Sequence, residues 1–191
     1  MNLEEYKGVY VFAQQVDNVV SGIAYELIGK GKELAKDLGT EVTAVLIGSD
    51  VKGLADDLAA YGADKVIVVD DPELKEYRTE PYAHALASVI EKYKPEIMLV
   101  GATAIGRDLG PRVSARVHTG LTADCTQLEI GDFPLNPVPG QEQKHNQLLM
   151  TRPAFGGNTI ATIACPNFRP QMATVRPGFM QKIAPIADAK A

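Results

Sequence analysis

Two hydrophobic patterns alternate along the chain up to His118. Short continuous apolar runs, rich in valine and isoleucine, predict β-strands that are buried on both faces. Between them, apolar residues recur every three or four positions, which predicts amphipathic helices. The predicted strands span 8–14, 41–48, 65–71 and 96–102, and the predicted helices span 21–39, 51–63, 79–94 and 106–118. Because alternating strands and helices form βαβ units, the pattern predicts a doubly wound α/β domain with a mostly parallel sheet.

Residues that favour helix ends support these boundaries. Ser21 and Thr79 stand where N-caps are expected, and Pro81 falls in the first turn of the third helix. Gly39 follows the first helix and is expected to end it, because glycine readily adopts the left-handed conformation of a C-terminal cap.

The pattern changes after about residue 119. Four further strands are predicted, with no helix between them, at 121–130, 146–153, 158–165 and 171–178. The first two are expected to form a hairpin across the proline-rich connection 131–145. This half is an antiparallel β-rich extension, either of the same sheet or as a small β-arm. Residues 1–180 are therefore expected to form one α/β domain, and the Ala/Pro-rich stretch 181–191 a linker or tail.

Composition and charge exclude several classes of function. The net charge is -5, which argues against a general nucleic-acid-binding surface. No apolar run approaches the length of a membrane span, and the acidic start is unlike an export signal. Two widely separated cysteines and three scattered histidines leave no ligand pairs for zinc, so no metal site is expected. Unpaired cysteines of this kind favour a reducing, cytoplasmic compartment.

The end of the first strand is where open parallel sheets of this class commonly bind a nucleotide. Here it reads FAQQVDNVVSG, which contains neither a dinucleotide fingerprint nor a phosphate-binding loop. It also lacks the Ser-Gly-Gly start typical of ATP-pyrophosphatase relatives. The sequence therefore favours a domain that holds no nucleotide of its own.

The end of the fourth strand leaves two interpretations open. Arg107 follows Gly106 at a helix start and could bind a phosphate through both arms of its guanidinium. Alternatively, Asp108 is an ordinary acidic residue of the first turn and Arg107 a solvated charge, which the spacing alone favours. Arg112 and Arg116 lie four residues apart on one helical face, typical of a solvated face or of docking to an acidic partner.

Two more segments carry polar groups beside glycine. In HTGLTADC, residues 118–125, Thr119, Gly120, Thr122 and Asp124 lie in one short extended stretch, which equally fits a turn followed by a strand. In TRPAFGGN, residues 151–158, Arg152 precedes a Gly-Gly pair that would let a flat ligand approach the backbone. A hairpin turn with a surface arginine fits this segment equally well.

A search for a nucleophile finds no catalytic residue. There is no GxSxG motif, and although His118 lies seven positions before Cys125, no third group orients that pair. We therefore do not expect a self-contained enzyme.

Three segments together resemble the electron transfer flavoprotein alpha subunit. They are GATAIGRDLGPRVSARVHTGLTADCTQL, then TRPAFGGN, then RPQMATVRPG, and the resemblance covers about residues 6 to 180. The start of the chain and VRPGFM resemble alpha subunits of anaerobic bacteria, including the type that oxidises NADH by electron bifurcation. The resemblance implies an N-terminal α/β domain of the adenine nucleotide alpha hydrolase-like, nucleotide-binding-like type, which packs against a beta subunit.

In that family the FAD lies mainly in a second, C-terminal domain with an SGGRG-like segment and in the beta subunit. This chain has no such segment before Ala191, so the resemblance predicts that the C-terminal FAD domain is absent and that the isolated chain holds no cofactor. The implied activity is electron transfer between NADH or a flavin donor and an acyl-CoA dehydrogenase.

Carried over residue by residue, the resemblance implies two groups of cofactor-binding residues. Arg152, Phe155, Gly156 and Gly157 would lie near the flavin held by the beta subunit. Thr119, Gly120, Thr122 and Asp124 would line the neighbouring wall. Two alternatives remain: a free-standing adenine-nucleotide-binding domain of the universal-stress type, and a protein-interaction module without a cofactor.

Overall fold

Six parallel strands form the central sheet of the computed structural model, which describes residues 2–157, 159–187 and 189–191. The strands are β1 (Val9–Phe12), β2 (Gln15–Val16), β3 (Val19–Val20), β4 (Val42–Gly48), β5 (Lys65–Asp70), β6 (Ile97–Gly101), β7 (Leu121–Cys125), β8 (Gln127–Phe133), β9 (Lys144–Ala154), β10 (Thr159–Ile163) and β11 (Gln171–Val175). The helices are α1 (Gly22–Leu38), α2 (Ala55–Ala60), α3 (Thr79–Tyr93) and α4 (Ala104–Arg116). The central sheet has the order β5–β4–β1–β6–β11–β7, and all its neighbours are parallel. The predicted doubly wound α/β fold is confirmed.

The sheet is covered on both faces, as its continuous apolar strands require. In β1, Val9 and Val11 belong to a core that includes α1 and Leu58 of α2, whereas Tyr10 and Phe12 pack among residues of α3 and α4. Successive side chains of a strand point to opposite faces, so β1 contributes to both cores. None of the described helices is both long and apolar enough to cross a membrane.

The predicted helices are present, but two of their starts differ from the sequence prediction. Thr79 is the first residue of α3 rather than its cap, and its hydroxyl donates to Asp108 at 2.6 Å. Ser21 occupies the N-cap position of α1, yet its side chain makes no capping hydrogen bond. The helix predicted from residue 106 begins two residues earlier, because Thr103 accepts a hydrogen bond from the Gly106 amide. A single 3-10 turn, Lys52–Leu54, replaces the start of the helix predicted at 51–63.

The second half of the chain contributes to two sheets, which corrects part of the prediction. The strand predicted at 121–130 is two strands, because β7 joins the central sheet and β8 pairs with β9 outside it. The strand predicted at 171–178 is β11, and it is parallel to β6 and β7 rather than antiparallel. A strand's apolar pattern does not encode its neighbour or direction, so the sequence left these pairings open.

The antiparallel β-rich extension is confirmed as a separate three-stranded sheet, here called the arm, in the order β10–β9–β8. Its root is buried, since Leu128, Leu148 and Met150 belong to the same core as α1. Arg169 is 5% exposed there and donates to the carbonyl of Cys165 and, at 3.5 Å, to Gln147 of β9. The arm is thus fixed to the α1 side of the central sheet.

The chain after β11 returns to the helices of that same side. The carbonyl of Gln181 packs against Gly29 of α1, where an added Cβ would lie only 2.2 Å away. Further along, the amide of Ile186 donates to the carbonyl of Ala60 at 2.8 Å. Residues 181–187 form neither helix nor strand, and the division of the chain at residue 180 stays a prediction.

Candidate functional site

The crevice between β1 and β6 is the point where the strand order reverses, which is the usual ligand site of a doubly wound sheet. Its rim is bridged by the chain's own side chains. Thr103 donates from Oγ1 to Oε1 of Gln14 at 2.6 Å, and Nε2 of Gln14 donates to Oγ of Ser21 at 3.3 Å. Thr103 also accepts from the Gly106 amide at 3.0 Å, so the start of α4 is already capped.

The next residue of the chain packs beside the crevice, against the end of β4. Gln15 is 7% exposed, and its amide group donates to the carbonyl of Ile47 at 3.1 Å. The Nε2 atom of Gln15 lies only 2.7 Å from where a Cβ on Gly48 would be. The ends of β1, β4 and β6 are therefore packed against one another where a nucleotide would otherwise enter.

A cluster of charged residues lies at the carboxyl edge of the sheet, beyond β6, β11 and β7. Asp124 accepts two hydrogen bonds from Arg176, from Nε to Oδ1 at 3.1 Å and from Nη2 to Oδ2 at 2.5 Å. Arg107 approaches the same carboxylate, with Nη2 3.4 Å from Oδ1. These hydrogen bonds from Arg176, with the nearby charges of Arg107 and Arg152, lower the pKa of Asp124 below its usual range.

The backbone holds Asp124 in an uncommon conformation. Its φ is +61°, in the left-handed region, and its amide donates to Oγ1 of Thr174 on β11 at 2.9 Å. The pairing between β11 and β7 is irregular at this point, so Val175 lies opposite Cys125. The irregularity turns the Asp124 carboxylate toward the arginines, and non-glycine residues in such conformations cluster at functional sites.

The far end of β9 carries the second predicted group of residues. Arg152 is half-buried, and the amide of Thr126 donates to the carbonyl of Thr151 beside it at 2.9 Å. Gly156 and Gly157 have φ of +73° and +87° and are exposed, and no atom of the described residues would lie within 4 Å of an added Cβ. The Phe155 side chain lies outside the described residues, as does the whole of Asn158.

The structure brings together only part of the predicted wall. Asp124 lies in the charged cluster near Arg152, whereas Thr119 precedes β7 and donates to the carbonyl of Pro170 at 2.8 Å. Gly120 lies beside Cys165, at the same end, and Thr122 is 6% exposed in the middle of β7. Thr119 and Gly120 thus lie one strand length from Asp124, at the opposite edge of the sheet. Their roles toward a flavin stay predictions.

Three residues of this edge were not identified from the sequence. Arg176 directly follows β11, and Gln14 and Gln15 follow β1. The available signal is position, since residues just beyond the carboxyl ends of parallel strands face the ligand edge. Arg176 could not be placed there because the parallel direction of β11 was not apparent.

The remaining reactive groups give no sign of nucleophilic or metal chemistry. Burial raises the pKa of the Cys125 thiol to about 12, so a nucleophilic thiolate is disfavoured there. Among the residues that the structure describes, no three histidine, cysteine, aspartate or glutamate side chains group as a metal site would need. The groups that distinguish this edge are charged: the Asp124 carboxylate and the arginines that act on it.

Comparison with known proteins identifies the family to which this chain belongs. The family model described as the electron transfer flavoprotein domain matches residues 9–191. The chain belongs to the electron transfer flavoprotein family. This confirms the resemblance found in the sequence, and the family is one of flavoproteins.

Several relatives in this family are similar over almost the whole chain. The electron transfer flavoprotein subunit alpha of Clostridium acetobutylicum is 50% identical over 99% of this chain and 53% of its own length. The acryloyl-CoA reductase electron transfer subunit beta of Anaerotignum propionicum is 46% identical over 95% of this chain and 52% of its own length. The lactate dehydrogenase (NAD(+),ferredoxin) subunit LctC of Acetobacterium woodii is 47% identical over 90% and 38% respectively. The chain therefore spans about half the length, or less, of these relatives.

The crevice and the arm differ in how a flat ligand could approach them. The crevice is bridged by Gln14 and Thr103 at 2.6 Å, so a dinucleotide there would have to break that contact. At the arm, Gly156 and Gly157 follow Arg152 along the chain, and no atom of the described residues lies within 4 Å of an added Cβ on either glycine. Backbone without side chains, in the same segment as a positive charge, is compatible with the approach of a flat ring.

Proposed function

We propose that this chain is the part of an electron transfer flavoprotein alpha subunit that docks a beta-type subunit and forms one wall of the flavin site there. The observation that carries the proposal is that almost the whole chain matches alpha subunits, over about half of their length. The crevice of this chain is itself closed by the hydrogen bond between Gln14 and Thr103. In the complete complex, electrons pass between NADH or a flavin donor and an acyl-CoA dehydrogenase.

The role of this chain's residues is electrostatic. FAD, when bound in the complex, supplies the redox chemistry. Arg152 places a positive charge at the arm, where it favours negative charge on a neighbouring group. Gly156 and Gly157 present backbone without side chains, which allows close approach. A relay of this kind needs proximity and a tuned reduction potential, and it needs no nucleophile.

The names of relatives support a wider proposal about the partners. One relative is an electron transfer subunit of acryloyl-CoA reductase, and another belongs to a lactate dehydrogenase whose name joins NAD(+) and ferredoxin. We propose that the parent complex of this chain also exchanges electrons with a nicotinamide nucleotide. A dehydrogenase that acts on acyl-CoA compounds is its expected partner.

The experiment is an absorbance spectrum of the purified chain, alone and after mixing with an FAD-loaded beta-type subunit. We expect a colourless chain that shifts the flavin bands of the partner in a one-to-one complex. Arg152→Ala should bind the partner and reduce the shift, whereas Arg112→Ala, on the far face of α4 beside Glu80, should change neither. A chain that is yellow on its own, or a partner spectrum that mixing leaves unchanged, would contradict the proposal.

The universal-stress alternative is not favoured. It needs adenine-nucleotide binding at the crevice, where the Gln14–Thr103 hydrogen bond bridges the rim. Calorimetric titration with ATP separates the two functions if the Arg107→Gln variant is titrated as well, because tight binding that survives in this variant would favour a nucleotide sensor with its site at the crevice.

A further inference from the structure

Arg107 occupies a helix position that is electrostatically unfavourable for a cation. It lies in the first turn of α4, where the partial positive charge of the helix start favours acidic residues and disfavours a cation. Its side chain is nevertheless held in place, since Nε donates to the carbonyl of Ala102 at 3.0 Å. The side chain is 60% exposed, so most of the guanidinium remains open to solvent. A fixed, exposed cation at an unfavourable position indicates a role outside the helix.

Arg176 brings a second guanidinium to the same point. Its Nε and the Nη2 of Arg107 lie 3.1 and 3.4 Å from one oxygen atom of Asp124, so the two cations flank that oxygen. Arg176 is itself 40% exposed. Arg152 adds a third positive charge close enough to influence the carboxyl group. Two arginines thus contact one carboxylate, and a third adds positive charge that acts on it, in a chain whose net charge is -5.

Two guanidinium groups held beside one oxygen atom repel each other, and a bound anion would reduce that repulsion. Asp124 neutralises one of the three charges, and its best hydrogen bonds go to Arg176 rather than to Arg107. Both guanidinium groups keep further N–H donors, because arginine has five and each uses only two in the contacts described. Those donors have the fork geometry that matches phosphate oxygens.

We propose that Arg107 and Arg176 form a binding site for a phosphate group at the carboxyl edge of the central sheet. The site is separate from the closed crevice, and it does not depend on the proposed role of Arg152 beside a flavin. Asp124 aligns the two arginines while the site is empty. An incoming phosphate takes over the donors of Arg107, whose contact with Asp124 is long, and leaves the Arg176–Asp124 pair intact.

Asp124 also competes with the ligand for the arginines. The proposal therefore predicts in which direction the affinity for phosphate changes when the charge of Asp124 is removed. Its negative charge repels an incoming phosphate at short range. Replacing Asp124 by asparagine removes that charge and keeps an oxygen that can still accept from Arg176. Asp124→Asn should therefore bind phosphate more tightly, an effect that general loss of structure would not produce.

The test is isothermal titration calorimetry of the chain with inorganic pyrophosphate at low ionic strength. We expect saturable one-site binding, about tenfold weaker in Arg107→Gln, in line with the loss of a charge-assisted hydrogen bond. Arg112→Gln is the matched control, because Arg112 lies on the same helix, is 56% exposed and pairs with Glu80. Binding that is absent, or that falls equally in both variants, would overturn the proposal, as would weaker binding in Asp124→Asn.

A parallel titration with AMP distinguishes two sources of the phosphate. Equal affinities for AMP and pyrophosphate mean that the site binds phosphate alone, whereas tighter binding of AMP that is also lost in Arg107→Gln means that the phosphate belongs to a nucleotide. Both results support the site. AMP binding that is unaffected by Arg107→Gln, together with no response to pyrophosphate, would place the ligand elsewhere and contradict it. Because no partner subunit is present, these results do not depend on electron transfer.

Discussion

Arg176 and Asp124 form a two-point ion pair across neighbouring strands, with Nε to Oδ1 at 3.1 Å and Nη2 to Oδ2 at 2.5 Å. Arg176 directly follows β11 and Asp124 is the penultimate residue of β7, so the pair joins the last two strands of the central sheet at their carboxyl ends. It joins two strands whose parallel pairing the sequence did not reveal.

The pair should make stability depend on pH in the acid range. The pKa of Asp124 is lower in the folded chain than in the unfolded one, chiefly through the Arg176 hydrogen bonds. Its contribution is therefore complete above the ordinary pKa of aspartate, about 3.9, and is lost as the pH falls through the lower folded value. At neutral pH, Asp124→Asn should lower Tm by at most about 4 °C, because the pair is partly exposed.

Thermal unfolding followed by circular dichroism over a range of pH checks this prediction. The difference in Tm between Asp124→Asn and the unchanged chain should shrink toward zero in acid. A constant difference at every pH would mean that the ion pair does not contribute through its charge.

Substituting alanine for Gly106 of α4 and for Gly22 of α1 should change the free energy of unfolding in opposite directions. A Cβ on Gly106 would lie 1.7 Å from the carbonyl oxygen of Gly101 in β6, so helix and strand would have to separate. Gly106→Ala should lower the free energy of unfolding by about 3 kcal/mol or more, despite the better helix propensity of alanine. Gly22, the first residue of α1, has open space around it, and Gly22→Ala should raise stability by about 0.5 kcal/mol.

Urea denaturation of both variants gives the two free energies with their signs. The pair is informative because the chemical change is identical and both glycines lie in the first turn of a helix. If Gly106→Ala were as stable as Gly22→Ala, the close contact between α4 and β6 would be absent from the folded chain.

The sequence predicted β1, β4, β5 and β6 and the four helices because each carries its own periodicity. β4 is buried throughout and α1 presents a regular apolar face, so local pattern and final environment agree. The prediction failed in the second half of the chain, where the pairing of strands depends on residues far apart in the sequence. β7 and β8 read as one strand, since only the turn at Thr126 separates them, and sheet membership depends on partners far away in the chain.

The same distinction applies to the candidate site. Arg152 was identified because it precedes a Gly-Gly pair at the end of a predicted strand, and Asp124 because it lies in a short polar stretch after Gly120. The charge of Arg152 does act on the carboxyl group of Asp124. Thr119 and Gly120 were grouped with Asp124 by proximity in sequence, but an extended strand carries them to the other edge. Arg176 was missed because its place depends on the parallel insertion of β11 between β6 and β7.

The hydrogen bond between Thr103 and Gln14, which closes the crevice, should contribute measurably to the free energy of unfolding. Thr103→Val removes both the acceptor for the Gly106 amide and the donor to Gln14. Loss of an N-cap and of a partly buried hydrogen bond should together cost about 1–2 kcal/mol of unfolding free energy. Thr159→Val, on an exposed position of β10, is the control and should stay within about 0.5 kcal/mol. Equal effects in urea denaturation would show that Thr103 has no capping role.

The two cysteines should react very differently with a thiol reagent. The pKa of Cys125 is raised to about 12 because the thiol is buried, while Cys165 lies in a partly exposed segment beside Thr119. At neutral pH we expect one fast-reacting thiol in the folded chain and two after unfolding in guanidinium chloride. Cys165→Ser should remove the fast reaction. A fast phase that survives in this variant would mean that Cys125 is accessible.

The last prediction concerns the charge of Arg152 in the complete complex. A positive charge close to a flavin stabilises its reduced, negatively charged form, so removing that charge lowers the reduction potential. Arg152→Ala should lower the potential of the flavin held by the beta-type subunit by about 30 mV or more, which for a two-electron couple is about 1.4 kcal/mol. The measurement is a redox titration of the assembled heterodimer, with assembly checked by size-exclusion chromatography.

Arg112→Ala, with a similar loss of charge on α4 beside Glu80, should leave the potential unchanged. An unchanged potential in Arg152→Ala would remove this residue from the role, because the field of a nearby charge cannot vanish while the complex remains intact.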